Sequence, residues 1–86
     1  QGEIDLLALR GRTLAVVEVK SRTTLEAALD CVSQDQRDRL RRAGRAIAQR
    51  RPGLKDVFVR LDLIALAPGR WPRHIVDAWR NDGLTA

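Results

Sequence analysis

The sequence predicts an α/β domain, a mixed sheet in the order β-β-α-β-(β/α) with helix cover. Three observations predict it. Two apolar stretches flank a glycine turn near the start, one long amphipathic helix follows, and a second apolar run comes after Pro52-Gly53. A hairpin followed by a helix and another strand is the pattern of a sheet packed against helix. With 86 residues the chain makes one domain. It can bury about 60–65% of its unfolded surface, enough for one modest core.

Each element has its own warrant. Glu3 to Arg10 and Thr13 to Lys20 read as strands joined at Arg10-Gly11-Arg12, with Gly11 supplying the positive φ of a tight hairpin. Leu14 to Val17 is apolar on both faces, as a central strand covered on two sides would be. Leu25 to Leu29 fits a short helical turn. From Ser33 to about Arg51 the pattern is helical: Leu40, Ala43, Gly44, Ile47 and Ala48 share one face, and Arg37, Arg41 and Arg45 form a stripe on another. Ser33 and Gln36 have capping-box spacing, and Pro52-Gly53 ends the helix. Val57 to Ala67 reads as a long third strand, Pro68-Gly69 as a turn, and Trp71 to Trp79 as a short strand and a terminal helical turn.

Composition narrows the function. Sixteen basic residues against eleven acidic ones give 16 − 11, a net charge of +5, and all of the basic residues but Lys20 and Lys55 are arginines. Arginine's planar fork of donors suits phosphate oxygens, so nucleic acid leads among the partners that the charge admits. A single cysteine, Cys31, excludes an internal disulfide and a cysteine metal knuckle, and fits a reducing, cytoplasmic setting. The longest apolar run, Leu63 to Ala67, is far short of the ~20 residues of a membrane-spanning helix, so no membrane partner is expected.

The informative feature is an acidic hairpin. Glu3 and Asp5 alternate onto one face of the first strand, and Glu18 and Lys20 share a face of the second. With Gly11-Arg12 as a two-residue loop, Asp5 stands opposite Glu18 and Glu3 opposite Lys20. With Arg10-Gly11 as the loop, Asp5 stands opposite Val16 and Glu3 opposite Glu18. Both registers leave the four groups on one face. Two opposed carboxylates repel, and the neighbouring Leu7, Leu9, Leu14 and Val16 predict a low local dielectric. A hard divalent cation, Mg²⁺ or Mn²⁺, removes both penalties and takes oxygen ligands of this kind. Lys20 would then face the attacking water or the phosphate. The competing reading is a surface hairpin with a Glu3–Lys20 or Glu18–Lys20 ion pair, which would contribute little.

These residues carry a resemblance. GEIDLLAL followed by VVEVKSR resembles the PD-(D/E)xK nuclease superfamily, and more closely the YraN family of predicted bacterial endonucleases, related to archaeal Holliday-junction resolvases. The stretch Gln36–Gly44, Arg60-Leu61-Asp62 and the segment His74–Trp79 resemble that family in order and spacing, so the likeness covers nearly the whole chain. It implies a restriction-endonuclease-like core, in which Asp5 and Glu18 match the motif acids, Lys20 the catalytic lysine and the Val19 carbonyl a backbone metal ligand. Glu3 matches the family's own glutamate. The implied reaction is metal-dependent hydrolysis of DNA phosphodiester bonds by in-line attack of water, leaving a 5′-phosphate, on branched or flapped DNA. Relatives carry a helix before the first strand, so residues 1–86 are expected to be a single nuclease domain without that helix.

Gln36 has two readings, a helix-borne neighbour of the metal and a capping partner of Ser33. Arg22, just past the E-V-K, is placed to meet a phosphate, and Arg37, Arg41 and Arg45 either track phosphates or form a solvated face. His74 and Asp62 read as structural, Asp62 with Arg60 as a partner. Trp71 and Trp79 read as packing or dimer contacts, and a homodimer with two sites would suit a branched substrate. The function class that competes with a nuclease is a non-catalytic nucleic-acid-binding or assembly module on a degenerate nuclease fold.

Overall fold

The computed structural model describes residues 4–84. Four strands form one mixed sheet in the order β1-β2-β3-β4: β1 (Leu6–Arg10), β2 (Thr13–Ser21), β3 (Phe58–Leu66) and β4 (Arg73–Ile75). Helix α1 (Leu25–Asp30) and helix α2 (Gln34–Gln49) lie between β2 and β3, and a 3₁₀ helix spans Arg80–Leu84. The β1–β2 and β3–β4 pairs are antiparallel, and β2–β3 is parallel. A parallel pair needs a long crossover, which the two helices supply. This architecture is α/β and compatible with a restriction-endonuclease-like core.

The hairpin adopts the first of the two registers. Arg10 pairs with Thr13 and Leu6 with Val17, leaving Gly11 and Arg12 as the loop. Gly11 has φ +59 while Arg12 has no positive φ, as in a II′ turn, which takes glycine at its first central position. The ladder stops at Leu6. Asp5 lies in a bend, and Ile4 turns onto the cluster of Val16, Val32, Leu40 and Leu61.

Both helices start at real caps. The Thr24 hydroxyl accepts from the Ala27 N–H at 3.0 Å, and the Ser33 hydroxyl accepts from the Gln36 N–H at 3.1 Å. Each satisfies a backbone donor that would otherwise lack an intrahelical partner. Helix α2 buries Leu40, Gly44 and Ala48, the predicted stripe, against Leu14, Val16 and Leu61. By strand alternation that side of the sheet also carries Glu18, Lys20, Leu63 and Ala65, and the opposite side carries Ala15, Val17, Arg60 and Asp62. Leu14 to Val17 are all buried, as a central strand requires.

Gly44 is where α2 comes closest to the sheet. A Cβ there would sit 2.6 Å from Val16 Cγ2 and 3.1 Å from Val59 Cγ1. Gly44→Ala gains about 1 kcal/mol of helix propensity. Overpacking against a buried valine, stiff at χ1, costs about 1–3 kcal/mol. The expected outcome in urea denaturation is a net loss of about 1 kcal/mol.

Candidate functional site

The E-V-K segment of β2 is the centre of the site. Glu18 is 4% exposed although it is a carboxylate on a small domain. The Lys20 ammonium lies 3.4 Å from Glu18 Oε2, and the Gln36 amide donates to the same oxygen at 3.3 Å. Asp5 reaches the strand from the bend, its Oδ2 accepting from the Val19 N–H at 2.9 Å. Four of the sequence-predicted residues, Asp5, Glu18, Lys20 and Gln36, thus converge on three consecutive residues of one strand. The N–H and C=O of one strand residue point to the same edge, so the Val19 carbonyl is directed toward the side on which Asp5 sits. Glu3 lies outside the described residues.

The surroundings differ from expectation on one side. Leu14 and Val16 are buried, but Leu7 and Leu9 are 43% and 53% exposed, so the apolar wall is built by β2 and β3 and not by β1. The Glu18–Lys20 ion pair of the competing reading is present, yet it is not a surface pair, because one partner is nearly inaccessible. Gln36 makes two contacts. Its backbone N–H is capped by Ser33, while its side chain points away from the cap to Glu18.

Two hard carboxylates and a backbone carbonyl are a donor set that fits Mg²⁺ or Mn²⁺, ions that keep several waters and need few protein ligands. Among the described residues no group of three or more His, Cys, Asp and Glu is gathered for a metal.

The arginine stripe serves the fold. Arg37 donates to both oxygens of Asp82, to the Val32 carbonyl and to Gln34, and its guanidinium lies 5.6 Å from the centre of the Trp79 ring. Arg41 donates to Asp82 at 2.8 Å and to the Trp79 carbonyl. Arg45 donates to the Val57 carbonyl at 3.1 Å. The stripe is therefore not a bare solvated face: it holds the C-terminal segment and the start of β3. Arg22, by contrast, is exposed, and its side chain donates only locally, to the Ser21 carbonyl.

This clamp carries a pH signature. The Arg37 hydrogen bonds, with Arg41 behind them, lower the Asp82 carboxyl to about 2, more than offsetting its partial burial. A carboxyl depressed by folding stabilises the native state above its ordinary pKa and loses that contribution as pH falls toward about 2. Thermal melts of wild type and Asp82→Asn between pH 5 and 2 are expected to converge at the acid end and diverge above about pH 4, with the wild type the more stable. Parallel curves would contradict the clamp.

Asp62, on the opposite side of the sheet, has no accessible surface. Burial by itself would raise its carboxyl, but donors from Arg60 and the Asp77 N–H, with His74 Nε2 at 2.9 Å, leave it below the ordinary carboxylate range. Asp77, at φ +52, is the described non-glycine residue with positive φ, and this strained turn delivers its N–H to Asp62. The network ties β4 to β3, with His74 as a partner of the buried Asp62.

Fold and site together define a small α/β protein with Glu18 and Lys20 on a central strand and Asp5 reaching that strand from the bend before β1. The model of Uncharacterised protein family UPF0102 matches residues 1–66, and the chain belongs to that family, the YraN family. It is 70% identical over 82 residues to a UPF0102 protein of Caulobacter sp. (strain K31), covering 95% of this chain and 59% of the relative. A UPF0102 protein of Caulobacter vibrioides is 68% identical over 78 residues, covering 91% of this chain and 62% of the relative. One from Methylorubrum extorquens is 47% identical over 83 residues, covering 96% of this chain and 65% of the relative. The chain thus spans about six tenths of the length of the curated relatives it matches. No helix among the described residues is long and apolar enough to cross a membrane.

Proposed function

We propose that the protein is a Mg²⁺- or Mn²⁺-dependent endonuclease that hydrolyses DNA phosphodiester bonds at the E-V-K segment of β2. The observation that carries this reading is the nearly buried Glu18 carboxylate with the Lys20 ammonium 3.4 Å away and Asp5 anchored on the intervening Val19. Burying a carboxylate carries a desolvation cost that offsets much of the attraction of a neighbouring lysine, so the pair by itself adds little to stability. A divalent ion takes carboxylate oxygens of this kind.

Asp5, Glu18 and the Val19 carbonyl would hold the ion. When bound, it would supply positive charge to the phosphoryl oxygens and lower the pKa of a water. The Asp5 oxygen that accepts from Val19 fixes the side chain and leaves its carboxylate further acceptor sites. Gln36 orients Glu18 through its amide. Lys20 donates to the attacking water or to a non-bridging oxygen, where negative charge grows in the transition state. The water oxygen bonds to phosphorus in line as the bond to the 3′ oxygen breaks; the water releases one proton to solvent and the leaving 3′ oxygen takes one up from it, giving a 5′-phosphate and a 3′-hydroxyl.

The test is cleavage of end-labelled linear, flapped and four-way DNA by the full-length protein in Mg²⁺, Mn²⁺ or EDTA. Cleavage in either metal and none in EDTA is expected. Binding of all three DNAs without cleavage would replace the nuclease by a nucleic-acid-binding module.

A further inference from the structure

The β3–β4 turn, Pro68-Gly69-Arg70-Trp71-Pro72-Arg73, has a character that sequence periodicity did not reveal. Trp71 is 89% exposed, an unusual place for the largest side chain on a small domain. Beside it opens a cleft of about 270 Å³, lined by Arg22, Arg70 and Arg73 together with Leu25, Ala65 and one acid, Glu26. All three arginines are exposed. Arg37, Arg41 and Arg45 bond to other parts of the fold, whereas Arg22 bonds only to its neighbour Ser21 and Arg70 and Arg73 line the cleft.

The cleft lies where β2 and β3 end together, Ser21 opposite Leu66. In open α/β sheets the carboxyl ends of parallel strands are where ligands bind. It also adjoins the catalytic row. Lys20 pairs with Ala65, and Ala65 with Arg73, so Lys20 and Arg73 sit on the same side of the sheet two strands apart, about 10 Å between backbones. Arg22 follows the last residue of β2, four residues on from Glu18, about 13 Å along an extended chain. A strand of DNA with one phosphate at Lys20 has its next phosphates within reach of these long side chains.

We propose that Arg22, Arg70 and Arg73 grip the phosphate backbone flanking the cleaved bond, and that Trp71 stacks on an unpaired base of the same strand. This rests on the nuclease reading and deepens it by assigning the residues that would select a single-stranded arm beside a duplex. The charge supports it, since three guanidinium groups face one carboxylate. So does the chemistry of the pair, because arginine forks match phosphate while an indole face stacks on any base. A fully paired duplex offers no base face for Trp71 to cover.

The experiment is equilibrium binding of full-length protein, followed by fluorescence anisotropy, to a flapped DNA and to a duplex of equal length, both in EDTA so that no cleavage occurs. Arg70→Ala/Arg73→Ala is expected to weaken both DNAs roughly tenfold and to flatten the slope of log affinity against log salt by about 1.4–1.8, for two lost phosphate contacts. Trp71→Ala is expected to weaken the flapped DNA at least about fivefold, with the duplex unchanged and with Trp71→Phe restoring the loss. All three residues are exposed, so melting temperatures should match wild type. Superimposed isotherms and slopes for the double variant would overturn the phosphate grip, and equal losses on both DNAs for Trp71→Ala would overturn the unpaired-base contact. The two proposals fail separately. Altered binding in a protein that cleaves nothing sinks the nuclease and keeps the cleft, and unaltered binding in a protein that cleaves sinks the cleft and keeps the nuclease.

Discussion

Full-length protein carrying Glu18→Gln is expected to lose DNA cleavage by about 10³-fold while its unfolding midpoint stays level or rises. A bound divalent ion contributes several kcal/mol to the transition state, and each ~1.4 kcal/mol is a factor of ten in rate. Replacing a ligand carboxylate by an amide removes most of that. The stability forecast comes from burial. Glu18 is 4% exposed, so its charge is desolvated, and the amide keeps a partner because Gln36 can turn its own amide to match. Lys20→Ala should reduce the rate about 10²–10³-fold, the usual cost of one preorganised donor. The two variants separate in metal affinity, lost in the first and kept in the second. Cleavage that survives either substitution would remove the mechanism. A large drop in melting temperature for Glu18→Gln would return Glu18 to a structural role.

Leu40→Ala is expected to destabilise the protein by about 2–5 kcal/mol in urea denaturation. Leu40 has no exposed surface and fills the space between α2, Val16 and Leu61. Truncation removes its transfer energy and leaves a cavity that close-packed neighbours fill only in part. Small domains have about 5–15 kcal/mol in all, so this is a large share. The effect extends to the site. Gln36 is one turn before Leu40 on α2, and its amide on Glu18 depends on how the helix sits on β2. A loss below about 0.5 kcal/mol would mean that α2 is not anchored there.

Local features were legible in the sequence, and long-range ones were not. Gly11 and the alternation on either side of it gave two hairpin registers, one of which is found, and a capping serine with a 3.6-residue stripe placed α2 to within a few residues. The site was legible in part because Glu18, Val19 and Lys20 are consecutive and the hairpin brings Asp5 to them. The bend at Asp5 escaped, because it depends on Ile4 finding the Val16–Leu40 cluster, a tertiary preference that no period records. The arginine stripe escaped for a related reason. Its periodicity is that of a solvated face, and only folding brings Asp82, 45 residues away, against Arg37. Leu7 and Leu9 were expected in the wall of the site because they are apolar, but β1 is an edge strand and leaves them exposed.

Asp5, Glu18 and the Val19 carbonyl are proposed to hold one divalent ion. Calorimetric titration of the full-length protein with Mn²⁺ tests it most directly, without needing a substrate. Saturable binding of one ion by wild type is expected, weakened at least about tenfold by Asp5→Ala and by Glu18→Gln and unchanged by Lys20→Ala. Wild type that binds no Mn²⁺ at millimolar concentration, or binding that Asp5→Ala and Glu18→Gln leave intact, would contradict it.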